Sequence, residues 1–199
     1  MHIDAHFEPI VTDRLRLRRS RPEDAETISA YRSDPAVHRY QGWERTDPAG
    51  VRAEIDEMAP RAPGTAGGWT QLSVEDRTTG ELVGDVGLSP AEDEPGVIKI
   101  GYTMSPAYQG RGYATEAVRA LIAYAFDTLG ADVVRAYASA LNLASIRVAE
   151  KVGMQLIERV ERRSGDRTFW VVRYEIGREM VRRRGRGSRS RADPSRRAT

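Results

Sequence analysis

Gln109-Gly110-Arg111-Gly112-Tyr113-Ala114 is the stretch of this chain whose residue types and spacing best suit a ligand. It follows an extended apolar run, Val97 to Met104, and opens a helical run from Thr115 onward. A strand that passes through glycines into a helix N-terminus forms an anion cradle. Glycine lets the backbone approach, the first N–H groups of the helix have no partner, and the helix dipole favours negative charge. The ligand expected there is a phosphate or pyrophosphate. The loop is no P-loop, because no Gly-Lys-Ser/Thr follows at the required spacing. Nor is it a dinucleotide fingerprint, which needs G-x-G-x-x-G at an early strand and an acidic residue about twenty positions on. Taken alone, the six residues also read as a Gly-rich turn that caps a helix.

A second segment narrows the reading. Asn142 to Met154 carries Asn142-Leu143-Ala144-Ser145, a helical stretch, then Lys151-Val152-Gly153-Met154. Asn142 is a good N-cap and Gly153 a good C-cap for a helix of about three turns. The two segments together resemble the acyl-CoA motifs of the GNAT superfamily of N-acyltransferases. Its cradle reads Gln/Arg-x-x-Gly-x-Gly/Ala, filled here by Gln109, Gly112 and Ala114. Its next motif reads Asn-x-x-Ser/Ala followed by Lys-x-Gly-Phe, with Met154 in place of Phe. The opening, Thr12 to Arg18 followed by Pro22-Glu23-Asp24-Ala25, resembles the ribosomal-protein N-terminal acetyltransferase branch. The resemblance covers about residues 8–178.

That resemblance implies acyl transfer from acetyl-CoA to a primary amine, most of all the α-amine of a protein or peptide N-terminus. A small-molecule amine, such as an antibiotic or polyamine-like compound, is the alternative acceptor. It implies cofactor contacts at Tyr102, Thr103 and Met104, where a backbone N–H near the strand end would hold the oxyanion. Further contacts fall on Gln109, Gly110, Arg111, Gly112, Tyr113, Ala114 and Thr115, and on Asn142 and Ser145. Many members protonate the leaving thiolate with a Tyr seven residues after the motif Asn. Here that position is Ala149, and the resembled branch carries Ser where Ser145 stands. The branch often has Glu before Ile-Gly-Tyr; here Lys99 takes that place, so the base falls to Asp85 or Glu94, or no strong base is needed. An α-amine, with a reference pKa of about 8, needs less help than a Lys side chain at about 10.4. A non-catalytic acyl-CoA sensor also fits the missing Tyr and the Lys99 substitution.

These residues need a scaffold. Leu15 and Leu17 alternate with Arg, predicting a strand over 14–19. Helices follow over 22–32, 36–40 and 48–59, then strands over 69–75, 82–88 and 97–104, with an acidic loop at 89–96. A helix over 113–129, a strand over 131–138, a helix over 143–152 and paired strands over 154–162 and 168–176 complete the domain. The class is α/β: a mixed, mostly antiparallel sheet of about seven strands flanked by helices. The resemblance implies that the fourth and fifth strands splay apart at its centre. Residues 31–69 are where acceptor recognition is expected, with Tyr31, His38, Tyr40, Trp43 and Trp69 as aromatic candidates for a cationic amine. Core packing is the competing role for these rings.

The chain has 199 residues, one domain of 8–178 with a short terminal helix over 179–184 and a disordered Arg-rich tail over 185–199. Eight arginines but one acid, Asp193, lie from Arg182 onward, so the net charge of +2 comes from the tail and the rest is mildly acidic. The tail is a candidate for weak RNA or ribosomal-protein contact. No Cys is present, and three His at positions 2, 6 and 38 form no cluster, so no metal is expected; His2 and His6 are placed in a frayed N-terminus. No leader or membrane span is legible, which points to the cytoplasm. A monomer and a homodimer are equally compatible with the sequence.

Overall fold

The computed structural model describes residues 1–41, 47–164 and 167–180. The strands are β1 (Ile10–Val11), β2 (Leu15–Arg19), β3 (Thr70–Asp76), β4 (Leu82–Pro90), β5 (Val97–Met104), β6 (Val133–Ser139), β7 (Gln155–Ser164) and β8 (Arg167–Gly177). The helices are α1 (Ala25–Arg32), α2 (Pro35–His38), α3 (Pro48–Met58), α4 (Tyr113–Asp127) and α5 (Leu143–Val152). One sheet holds all eight strands in the order β1-β2-β3-β4-β5-β6-β8-β7. Every pairing is antiparallel except β5 with β6. Two parallel neighbours cannot be joined by a tight turn, so a helix must cross over, and α4 does so.

The β5–β6 ladder is short. It runs from Val97 opposite Val133 to Ile100 opposite Ala136 and stops. Gly101 to Met104 stay paired with β4, and Tyr137 to Ser139 with β8. The two strands therefore part in the middle of the sheet, and each keeps a partner only on its outer side.

Helices α4 and α5 cover one face. The pattern Ala117, Val118, Leu121, Ile122 and Ala125 puts one stripe of α4 onto Leu72, Val74, Val86, Ile98 and Ile100, all buried. Complete burial of a Leu such as Leu121 contributes about 2 kcal/mol or more. Helices α1 and α3 cover the other face over β2 to β4 with a smaller cluster, Ile28, Tyr31, Val51 and Ile55. Beside it the sheet face is polar. Arg18 donates to Asp24 at 2.7 Å and to Glu75 at 2.8 Å, and Ser73 donates to Asp24 at 2.8 Å. This closed network fastens the start of α1 to β2 and β3. Removing Arg18 or Asp24 would strand a buried charge at a cost of about 3–5 kcal/mol.

The structure departs from expectation at several edges. β1 is two residues long, too short for alternation to announce it. β4 runs on to Pro90, where a strand end tolerates the missing N–H. The expected frayed N-terminus is not found at His2. Its N–H donates to Leu129 O at 2.7 Å, the Asp4 N–H donates to Pro63 O at 2.9 Å, and Tyr124 Oη donates to Asp4 at 2.7 Å. Residues 178–180 are helical, while the rest of the expected 179–184 helix and the tail of 185–199 lie outside the described residues. Among the described residues no helix is long and apolar enough to cross a membrane.

Candidate active site

The cradle forms as its glycines require. Gly110 and Gly112 have φ of 76° and 83°, the left-handed region that a side chain resists. Gly112 N-caps α4 without any side-chain cap, so the first N–H groups of the helix stay available. A Cβ at Gly110 would meet nothing within 4 Å, which leaves the backbone open to a ligand. Glu116, in the first turn of α4, would repel an anion there. Arg14 pairs with its carboxylate at 2.6 Å and Thr12 donates to it at 2.7 Å, which draws that charge toward the turn between β1 and β2. Tyr113 Oη donates to Asp76 at 2.6 Å, and Gln109 Nε2 donates to Met104 O at 3.0 Å. Gln109 thus ties the loop to the end of β5.

A cavity of about 590 Å³ leads from this loop past Tyr102, Thr103 and Met104 to Asn142, Leu143 and Ser145. It lies between the end of β5, beyond the last β5–β6 pair, and the start of α5. The Ser105 N–H donates to Val83 O on β4, so strand alternation turns the N–H groups of Tyr102 and Met104 toward the gap. Asn142 Oδ1 accepts from the Ser145 N–H at 3.1 Å and caps α5. Ser145 Oγ donates to Tyr102 Oη at 3.0 Å, and that hydroxyl donates to Ser145 O at 2.9 Å. Burial raises the Tyr102 hydroxyl pKa, with the Ser145 hydrogen bond pulling the other way.

A second cavity of about 440 Å³ meets the first at Gln41, Tyr102 and Thr103. Its wall includes Arg32, Glu54, Trp69, Gln71 and Asp85. Asp85 stands opposite Thr103 in the β4–β5 register and is only 2% exposed. It accepts hydrogen bonds from Tyr31 Oη and Gln71 Nε2. Burial pushes its carboxyl up to about 6, against the Arg32 charge and the Tyr31 hydrogen bond. An anion cradle, a channel through a split sheet and a buried carboxylate at the channel's far end are the parts an acyl-CoA transferase needs.

Comparison with known proteins decides the family. The profile of the Acetyltransferase (GNAT) domain matches residues 14–155. An uncharacterized N-acetyltransferase, p20 of Bacillus licheniformis, is 31% identical over 150 residues, covering 75% of this chain and 83% of its own. This chain belongs to the GNAT acetyltransferase family. The GNAT-family acetyltransferase of Bacillus anthracis superposes with a TM-score of 0.76 at 24% identity, covering 86% of this chain and 99% of that one. RimL, a ribosomal alpha-N-protein acetyltransferase solved with coenzyme A, superposes with a TM-score of 0.74 at 16% identity, covering 85% and 98%. The protein is thus an acetyl-CoA-dependent acyltransferase with the family's fold.

In this GNAT enzyme the residues expected from sequence fall into four groups. Gly110, Gly112, Tyr113, Ala114, Thr115, Asn142 and Ser145 share the longer cavity with Tyr102, Thr103, Met104 and Gln109, whereas Arg111 does not line it and lies over the Tyr108 ring at 5.3 Å. Asp85 and Trp69 line the shorter one, and Tyr40 lines the longer. Tyr31 is buried behind Asp85 and lines neither cavity; His38 is exposed on α2 and also lines neither. Glu94 lines neither cavity, being held by Arg135 at 2.7 Å, whose hydrogen bond lowers its pKa. Trp43 lies outside the described residues. Lys99 projects from the same face of β5 as Thr103, so Asp85 lies on the face where the resembled branch keeps its Glu.

Sequence reasoning missed Gln41, Glu54, Arg32, Gln71 and the Tyr102 hydroxyl. One signal was present for the seat of Trp69. Gly87 and Gly101 sit inside strands, where glycine marks a close approach. They are register partners, and a Cβ at Gly87 would lie 2.4 Å from the indole.

Proposed function

We propose that this enzyme acetylates an α-amine at a peptide or protein N-terminus, with Asp85 as base and Ser145 as proton donor to the leaving sulfur. Asp85 carries the reading. It is the buried carboxylate beside Thr103 at the junction of the two cavities, and its pKa of about 6 sits near the operating range of a general base. Passing a proton to it from an α-ammonium of pKa about 8 is uphill by about 2 units, or about 3 kcal/mol. From a Lys side chain at about 10.4 the climb is about 6 kcal/mol. RimL, which shares the fold, is itself named for an alpha-N-protein reaction.

Asp85 takes one proton from the bound α-ammonium, and the neutral amine then attacks the thioester carbonyl carbon, forming the N–C bond. The oxyanion accepts from the β5 N–H groups of Tyr102 or Met104. The nitrogen gives its remaining extra proton to solvent, the C–S bond breaks, and the sulfur takes the Ser145 Oγ proton. Solvent then removes one proton from Asp85 and returns one to Ser145.

The base acts ionised, so kcat/KM is expected to fall as pH drops through about 6. Asp85→Asn should lower kcat/KM on a short peptide with a free α-amine by about 10²-fold or more and erase that limb. A variant that keeps both the limb and the rate would remove Asp85 from the mechanism.

A further inference from the structure

The charges around the acceptor cavity are unevenly matched. Arg32 pairs with Glu54 at 2.6 Å and Arg61 with Glu57 at 3.7 Å. Among the described charged residues of that wall, Asp85 is the carboxylate in no ion pair. Both hydrogen bonds it accepts come from neutral donors, Tyr31 and Gln71. Arg32 is near enough for its charge to favour ionised Asp85 but is held by Glu54, so the cavity offers one incoming cation a buried counter-charge. A second ammonium would have to compete for Glu54 or Glu57 with the arginine each already holds. A carboxylate next to the amine would be pressed against Asp85 in a site that screens charge poorly.

Trp69 adds an apolar requirement. Its Nε1–H donates to Gln71 Oε1 at 2.6 Å, and the same Gln71 donates to Asp85. Indole, amide and carboxylate thus form one hydrogen-bonded row across β3 and β4. The indole is seated over Gly87, two residues along the strand from Asp85, or about 7 Å. An amine held at Asp85 can therefore place the side chain of its own residue toward the indole. A volume of about 440 Å³ lies toward the small end of ligand pockets, room for one residue rather than a peptide segment.

We propose that the acceptor site selects a primary amine of single positive charge whose neighbouring group is aromatic or bulky and apolar, and discriminates against polyamines and free amino acids. A peptide then enters by an N-terminal residue of that kind. This rests on the reading of Asp85 as the group that meets the amine.

Four probes test it on the full chain: phenylalaninamide, glycinamide, phenylalanine and spermidine. Calorimetry on the coenzyme A-loaded protein ranks their affinities, and release of free coenzyme A from acetyl-CoA ranks their turnover. Phenylalaninamide is expected to lead each of the others by about tenfold in both. In Trp69→Ala its advantage over glycinamide should shrink about tenfold, and Trp69→Phe should restore most of it. Spermidine or phenylalanine binding as tightly as phenylalaninamide overturns the selection proposed here while leaving catalysis intact. The expected affinity order with turnover of none of the four upholds the selection and sinks the catalytic reading instead.

Discussion

Asp85 and Ser145 reach the end of β5 from opposite faces of the sheet. Successive side chains of a strand alternate, so Thr103 faces Asp85 under α1 while Tyr102 faces Ser145 under α5. In the mechanism proposed above, the thioester lies between the two groups, where β5 and β6 part. Ser145 was legible from the motif that begins at Asn142, since cap and hydroxyl are three residues apart. Its contact with Tyr102 was not, because the partner lies 43 residues away. Ser145→Ala is expected to lower kcat by about 10²-fold with acetyl-CoA affinity nearly kept. Tyr102→Phe removes the acceptor that orients Ser145 and keeps the ring, so a smaller loss of about tenfold in kcat is expected. Steady-state rates beside calorimetric affinities check both. A Ser145→Ala rate within twofold of the parent would reduce that hydroxyl to a support of the helix start.

At the scale of elements, the proposed cofactor site is the start of α4 braced from outside. Arg14 reaches Glu116 and also Arg111 O at 3.1 Å, so the turn between β1 and β2 fixes the loop that precedes the helix. Gly112→Asp puts a carboxylate and a Cβ where phosphate must meet backbone, at a φ of 83° that strains any side chain. Acetyl-CoA affinity should fall by about 10²-fold or more in calorimetry, with a stability loss of only about 1–2 kcal/mol. A folded variant with parental affinity would break the assignment of the cradle. The long elements were readable because their periods repeat: 3.6 in α4, with its stripe from Ala117 to Ala125, and 2 in β2, with Leu15 and Leu17 buried beside exposed Arg16. β1 and the extension of β4 to Pro90 carry no such repeat and exist because a neighbouring strand supplies their hydrogen bonds.

For the whole molecule, helices on both faces clamp a sheet that is open at its centre, and the N-terminal residues bind His2 to Leu129 and Asp4 to Pro63 across the end of α4. Residues 185–199 contain no large apolar side chain and cannot add to that core. Truncation after Arg184 is therefore expected to leave the melting temperature and turnover of a small amine nearly unchanged, as thermal melts and initial rates will read. A tenfold loss of turnover at unchanged melting temperature would put the tail in the cleft. The sequence by itself determined the cradle, the Asn142 cap with Ser145, the order of the main elements and the family, because each rests on residues close together in the chain, where caps, turns and hydrophobic periods act. Only the tertiary structure decided which carboxylate meets the cavity and which side chains line the second cavity. Asp85 and Glu94 look alike in sequence; one is buried by Tyr31 and Gln71 from two distant elements, and the other is drawn to Arg135 at the far side of the sheet's split. Burial and ion pairing depend on neighbours brought together from across the chain, and those forces set the charge and position of a catalytic group.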